Sequence, residues 1–140
     1  MIRIAGKDDA NAIARLLVQL GYPDTTAADA LRRLEGMTSR LDPALFVDDT
    51  NGVTGVIHVC VTETLEHEPR GEIRTLVVDD AHRNAGAGAR LVDAAEEWAR
   101  ARGLSKMRVR SNIKRERARR FYERLGYSVT KTQNVFDKLL

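Results

Sequence analysis

The chain is expected to fold as one mixed α/β domain, residues 1–140, in which helices cover a sheet. Three observations lead there. Its 140 residues suit one hydrophobic core, since domains usually span about 100 to 200 residues. Apolar side chains make up 43% and charged ones 31%, near the globular averages of roughly 45–50% and 25%, which favours a packed interior over disorder. Finally, β-rich runs and helical stripes alternate in the order βααβββαβαβ, without a Gly/Ser or Pro-rich linker and without an internal repeat.

A short strand is expected around Ile2 to Ile4. Asp8 or Asp9 then caps a helix whose Ala10, Ile13, Leu17 and Leu20 keep helical spacing up to Gly21. Pro23 prevents continuation, and a second helix starts near Thr26, with Asp29 in its favoured first turn and Ala30, Leu31 and Leu34 along one face. Leu45 to Val47 and the β-branched run Val53 to Thr62 read as a hairpin turning at Asp49 to Gly52. The acidic stretch from Glu63 to Glu68 reads as a solvated connection before Pro69, followed by a strand over Glu72 to Val78. Next comes a helix opened by Gly86 or Gly88, striped by Ala87, Leu91, Ala94, Trp98 and Ala101 and stopped by Gly103. A short strand at Met107 to Arg110, an amphipathic helix carrying Ala118, Phe121, Tyr122 and Leu125, and a last strand around Val135 to Leu139 complete the order.

Cys60 is the single cysteine, so an internal disulfide is excluded, and with three scattered histidines it makes no metal-ligand spacing. A reducing compartment fits, and charges at Arg3, Lys7, Asp8 and Asp9 interrupt any leader-like apolar run. The expected location is the cytoplasm, with no membrane partner. The net charge of +3 conceals a division: residues 1–80 carry 8 basic and 14 acidic side chains, and residues 81–140 carry 15 and 6. A basic half in an ordinary domain calls for an anionic partner, whether nucleic acid, a membrane surface or a phosphorylated cofactor. Nucleic acid is the weaker choice: the basic run over 108–124 falls largely on the solvent side of a helix, and no aromatic platform accompanies it.

Arg83-Asn84-Ala85-Gly86-Ala87-Gly88 lies between a β-run and an amphipathic helix. A helix start offers unpaired N–H groups and a positive dipole end, and small residues let an anion approach the backbone. Phosphate is the natural ligand. A dinucleotide fingerprint would lie near a first strand, and a P-loop requires Gly-Lys-Ser/Thr, which is absent. A ligand-free glycine turn is the remaining reading of these six residues taken alone.

A second feature, Arg119-Arg120-Phe121-Tyr122-Glu123-Arg124-Leu125-Gly126-Tyr127, changes that balance. Over most of its length the chain resembles the GCN5-related N-acetyltransferase superfamily, especially its small-molecule branch acting on aminoalkylphosphonates and aminoglycosides. Arg83, Gly86 and Gly88 match its acetyl-CoA loop, preceded by a similar strand, Glu72 to Val78, while Ala118 to Tyr127 resembles its C-terminal motif. Members often carry glycine where Asn84 stands, and asparagine where Arg115 stands; Asn112 is taken to make that second contact. Asparagine tolerates left-handed backbone geometry, so the loop is expected to survive.

The resemblance implies a mostly antiparallel mixed sheet flanked by helices, with acetyl-CoA as cosubstrate in a cleft between two splayed parallel strands. The pantetheine arm would pair with the backbone of Leu76, Val77 and Val78, and the diphosphate would rest on Arg83, Asn84, Ala85, Gly86, Ala87 and Gly88. Tyr122 is implied as the general acid toward the leaving thiolate. Glu72 stands where the histone-acetylating branch carries its base; the alternatives are an ordered water as base and Glu72 as a plain strand residue. Cys60 and His58 read as core residues, His67 and His82 as solvated loop residues. The expected acceptor is the primary amine of a small molecule; the alternatives are a protein N-terminus or lysine, and a nucleic-acid-binding or non-catalytic CoA-binding module. Relatives commonly pair, so a homodimer is also among the expectations.

Overall fold

The structure, a computed structural model, describes residues 1–40 and 42–140. Among them, the chain forms β1 (Ile2–Ile4), α1 (Ala10–Leu20), α2 (Ala27–Thr38), β2 (Ala44–Asp49), β3 (Val53–Thr64), β4 (His67–Val78), α3 (Ala87–Ala101), β5 (Met107–Val109) and α4 (Glu116–Arg124). It divides into two compact units, Met1–Val109 with the whole sheet and α1 to α3, and Arg110–Leu140 with α4 and the segment after it.

Local chemistry explains the first unit's helices. Thr26 caps α2 by accepting from the Asp29 N–H, and the Asp29 carboxylate accepts from the Thr26 N–H in return, both at 3.1 Å. Asp9 precedes α1 but makes no side-chain cap hydrogen bond to it. Its carboxylate instead accepts from Gly6 N–H at 2.8 Å and from both terminal nitrogens of Arg3 at 2.9 and 2.8 Å. Those Arg3 hydrogen bonds outweigh desolvation and hold the carboxyl below the usual aspartate range.

The five strands lie in sequence order, antiparallel throughout except for the parallel pair β4 and β5. On one face, Ile13 and Leu16 of α1 and Ala30 and Leu34 of α2 pack with Leu45, Val47, Val56 and Val77. On the other, α3 covers β2, β3 and β4. Gly55 there faces the Leu91 side chain, and Gly71 faces Ala99 and Met107. Leu91, with no exposed surface, contributes about 2 kcal/mol by burial.

Two expectations change. The stretch from Glu63 to Glu68 is exposed, as expected, but it is not an irregular connection: β3 and β4 run on through it and turn tightly at residues 65–66. Pro69 lies within β4 beside an irregularity in the ladder, between Thr62 and Thr64, where a residue lacking an N–H is tolerated. No strand forms around Val135 to Leu139. Val135, Phe136 and Leu139 are 85%, 89% and 98% exposed, and a strand requires a ladder partner that this segment does not find in a single chain.

Candidate functional site

Beside β5, the β4 ladder is short, pairing Gly71, Glu72 and Ile73 with Met107, Arg108 and Val109. Beyond Ile73, β4 continues to Val78 along β3, with no strand on its other edge. Main-chain direction along that edge follows from the register. Gly71 N–H donates to the Lys106 carbonyl, toward β5, whereas Asp79 N–H donates to the Thr54 carbonyl, toward β3. N–H groups alternate along a strand, and a β-bulge shifts the alternation by one. The register shift between His58 and Val59 leaves Arg74 as the extra residue of β4. Past that bulge, Leu76 and Val78 turn their N–H groups to the open edge, and Val77 turns its own to β3.

The open edge leads into the glycine loop. Asp79 and Asp80 are fixed by Gln19 of α1, which donates to the Asp79 carboxylate at 3.2 Å and accepts from Asp80 N–H at 2.8 Å. Arg83 follows, exposed and ion-paired with Asp80. Asn84 adopts φ +68° and Gly86 φ +82°, both in the left-handed region that asparagine and glycine occupy most readily. Asparagine at position 84 thus keeps the turn, as expected. Gly86 ends the loop as the residue before α3. The N–H groups of Ala87, Gly88 and Ala89 have no partner one helical turn back, and they stand at the positive end of the α3 dipole. A row of amides beside an exposed arginine fits a diphosphate, and an open strand edge next to it fits an amide-bearing arm.

Arg90, within the first turn of α3, was not singled out by sequence. Its Nε and Nη2 donate to Asp48 Oδ2 at 2.9 and 2.7 Å, and its Nη1 donates to the Ala85 carbonyl at 3.0 Å. Asp48 lies 42 positions earlier in the chain, and no local spacing joins the two.

Polar groups gather on the opposite face of β4 from α3. Glu72 is 1% exposed and its carboxylate accepts from the Arg74 guanidinium at the bulge. Cys60 pairs with Glu72 across the ladder, and His58 with Thr75. Burial lowers the His58 pKa, aided by the Arg74 charge and opposed by that of Asp42. Burial likewise pushes the Cys60 thiol up, which keeps it protonated and makes it a poor nucleophile. His67 opens β4 and is exposed; His82 is exposed and meets the Asp79 carboxylate at 3.3 Å.

In the second unit, Tyr122 is half-buried between Phe121 and Tyr127, with edge-on ring contacts at 5.1 and 5.7 Å between centroids. Burial pushes its phenol up to about 12. Asn112 is exposed, and its side-chain oxygen accepts from Lys114 N–H at 2.9 Å, which leaves its amide nitrogen for another partner.

The pattern of the Acetyltransferase (GNAT) family matches residues 11–127. No curated protein matches the chain by sequence. Among solved structures, a transcriptional regulator from Bacillus halodurans C-125 is similar at 24% identity and TM-score 0.89, covering 99% of both chains. An aminoglycoside antibiotic 6'-N-acetyltransferase from Acinetobacter haemolyticus is similar at 17% identity and TM-score 0.86, covering 100% of this chain and 99% of that one. The enzyme AAC(6')-Iy, solved with the bisubstrate analogue CoA-S-monomethyl-acetylneamine, is similar at 18% identity and TM-score 0.87, covering 100% and 98%.

Proposed function

The chain belongs to the GNAT acetyltransferase family and is an acetyl-CoA-dependent N-acetyltransferase, and from that premise we propose that it acetylates the primary amine of a small molecule by direct attack in a ternary complex. One observation carries the reading: the open edge of β4 leads, through a single 3-10 turn at Asp80–His82, into the left-handed loop that starts α3. In this proposal the loop from Arg83 to Gly88 binds the diphosphate, and the main chain from Leu76 to Val78 binds the arm through the N–H groups of Leu76 and Val78. Asn112 adds a cofactor contact. The whole chain acts as a single catalytic domain. Its one cysteine favours the cytoplasm.

An alkylamine near pKa 10.4 is only about one part in a few thousand neutral at pH 7, so the attacking nitrogen must lose a proton. We assign its acceptance to Glu72 through a bridging water, because the buried carboxylate is already engaged by Arg74. Attack forms the C–N bond and then breaks the C–S bond, releasing a thiolate. Tyr122 serves that sulfur. A phenol near 12 stays protonated at neutral pH, and it stands above a thiol near 8.5. Its work is therefore a hydrogen bond that stabilises the departing charge, with the thiolate taking its final proton from solvent.

The charges around Cys60 on the acceptor side are mixed, with the Asp42 and Glu72 carboxylates facing the Arg74 guanidinium, and Asp42 adds the negative charge there that an ammonium would meet. The aminoglycoside enzymes among the structural neighbours support the same class. A thiol-release screen with acetyl-CoA and a panel of small amines tests the proposal. Release that depends on a small primary amine is expected; release with lysine-bearing or N-terminal peptides alone would move the enzyme to the protein-acetylating class.

A further inference from the structure

Gly86 has a positive φ, and a Cβ placed on it would meet Arg90 Nη1 at 3.2 Å. Glycine is thus required there, but its rotational freedom lets the Ala85–Gly86 peptide flip at low cost. A flipping peptide is a poor anion ligand. In a trans peptide the carbonyl and the N–H point in opposite directions, and the chain contains no cis bond among its described residues. Whatever fixes the Ala85 carbonyl therefore aims the Gly86 N–H.

Arg90 fixes that carbonyl. Its Nη1 holds the Ala85 oxygen at 3.0 Å while Nε and Nη2 grip Asp48 Oδ2. The anchor itself cannot swing. Asp48 is fully buried, 0% exposed, and also accepts from the Thr50 hydroxyl and the Met1 ammonium, each at 3.0 Å. A planar guanidinium held along one edge has its remaining nitrogen pointed in a set direction, which an ammonium cannot reproduce.

We infer that Arg90, anchored by Asp48, is a positioning residue that locks the Ala85–Gly86 peptide with its N–H presented to the diphosphate of acetyl-CoA. The gain is preorganisation, because the loop need not be ordered when the anion arrives. This rests on the reading in which residues 83–88 hold the diphosphate, and the experiment separates the two claims. Arg90→Lys keeps the charge and loses the fork; Arg90→Met loses both; Gly86→Val disturbs the loop itself. For each variant and the parent, KM and kcat are measured with acetyl-CoA and with S-acetylpantetheine, which lacks the diphosphate.

Both Arg90 variants are expected to raise KM for acetyl-CoA about tenfold, with kcat little changed. S-acetylpantetheine kinetics should be unaffected. Because each variant is compared with itself on two donors, a general loss of folded enzyme cancels. Equal losses on both donors would make Arg90 a packing residue and overturn the inference. A lysine variant indistinguishable from the parent would replace the fork by simple charge and also overturn it. If Gly86→Val weakens acetyl-CoA while the Arg90 variants do not, the clamp alone fails. If none of the three alters the preference between donors, the loop assignment fails with it.

Discussion

Tyr122 and Glu72 make opposite demands on their surroundings. Burial keeps the Tyr122 phenol protonated, so Tyr122→Phe should lower kcat about 100-fold and leave the acetyl-CoA KM within about twofold; an unchanged kcat would remove it from the leaving-group role. Glu72→Gln keeps the shape of the side chain and most of its contact with Arg74. Its kcat should fall by a similar factor with the acetyl-CoA KM little changed; an unchanged kcat would make Glu72 an anchor for Arg74 only. Asp48 answers to pH through stability. Burial alone would raise its pKa, but the Met1 ammonium, Arg90 and Thr50 outweigh that and hold it below the usual range. A depressed folded pKa gives stability that is complete above the ordinary aspartate value near 3.9 and is lost as pH falls below it. Thermal melts from pH 7 to pH 2 should therefore show a shallower acid decline for Asp48→Asn than for the parent, and parallel curves would refute the assignment. Arg83, Gly86, Gly88 and Tyr122 could be proposed from sequence because each lies in a short run that resembles a family motif. Arg90 and Asp48 could not, since the β2–α3 packing that joins them spans 42 positions.

Elements with strong local signals were legible. The Thr26 capping box, the glycines ending α1 and α3 and the stripe of Ala87, Leu91 and Trp98 place three helices close to where they fold. Strand lengths were not, because pairing decides them. The polar flank from Glu63 to Glu68 gives no alternation to read, yet a two-residue turn lets β3 and β4 pair through it. The bulge at Arg74 leaves no composition signal either, although it sets which amides reach the open edge. Close packing against α3 is the other hidden feature: a Cβ on Gly55 would stand 2.9 Å from Leu91 Cδ1 and 3.2 Å from the Val77 carbonyl. Leu91 is fully enclosed and the carbonyl belongs to the ladder, so neither yields easily. Gly55→Ala is expected to cost about 1–3 kcal/mol, read as a lower denaturation midpoint at unchanged slope; a variant as stable as the parent would show that α3 rides more loosely on β3 than its contacts imply.

For the molecule as a whole, charge division and fold tell one story. The basic excess after residue 80 includes Arg83 of the turn proposed to hold the diphosphate, and part of the remainder is neutralised locally by surface pairs along α4, such as Arg119 with Glu123 at 3.2 Å and Arg120 with Glu116 at 3.7 Å. Such exposed pairs add little stability. No helix among the described residues is long and apolar enough to cross a membrane. The strand expected around Val135 to Leu139 does not form, because a strand is a property of two segments and not of one.

A crystal structure of the protein with acetyl-CoA tests the central claim most directly. The account predicts the diphosphate on the amides from Asn84 to Gly88, with the Gly86 N–H among its donors and the arm alongside Leu76 and Val78. Density for the diphosphate anywhere else, or a loop with the Ala85–Gly86 peptide turned about, would contradict it.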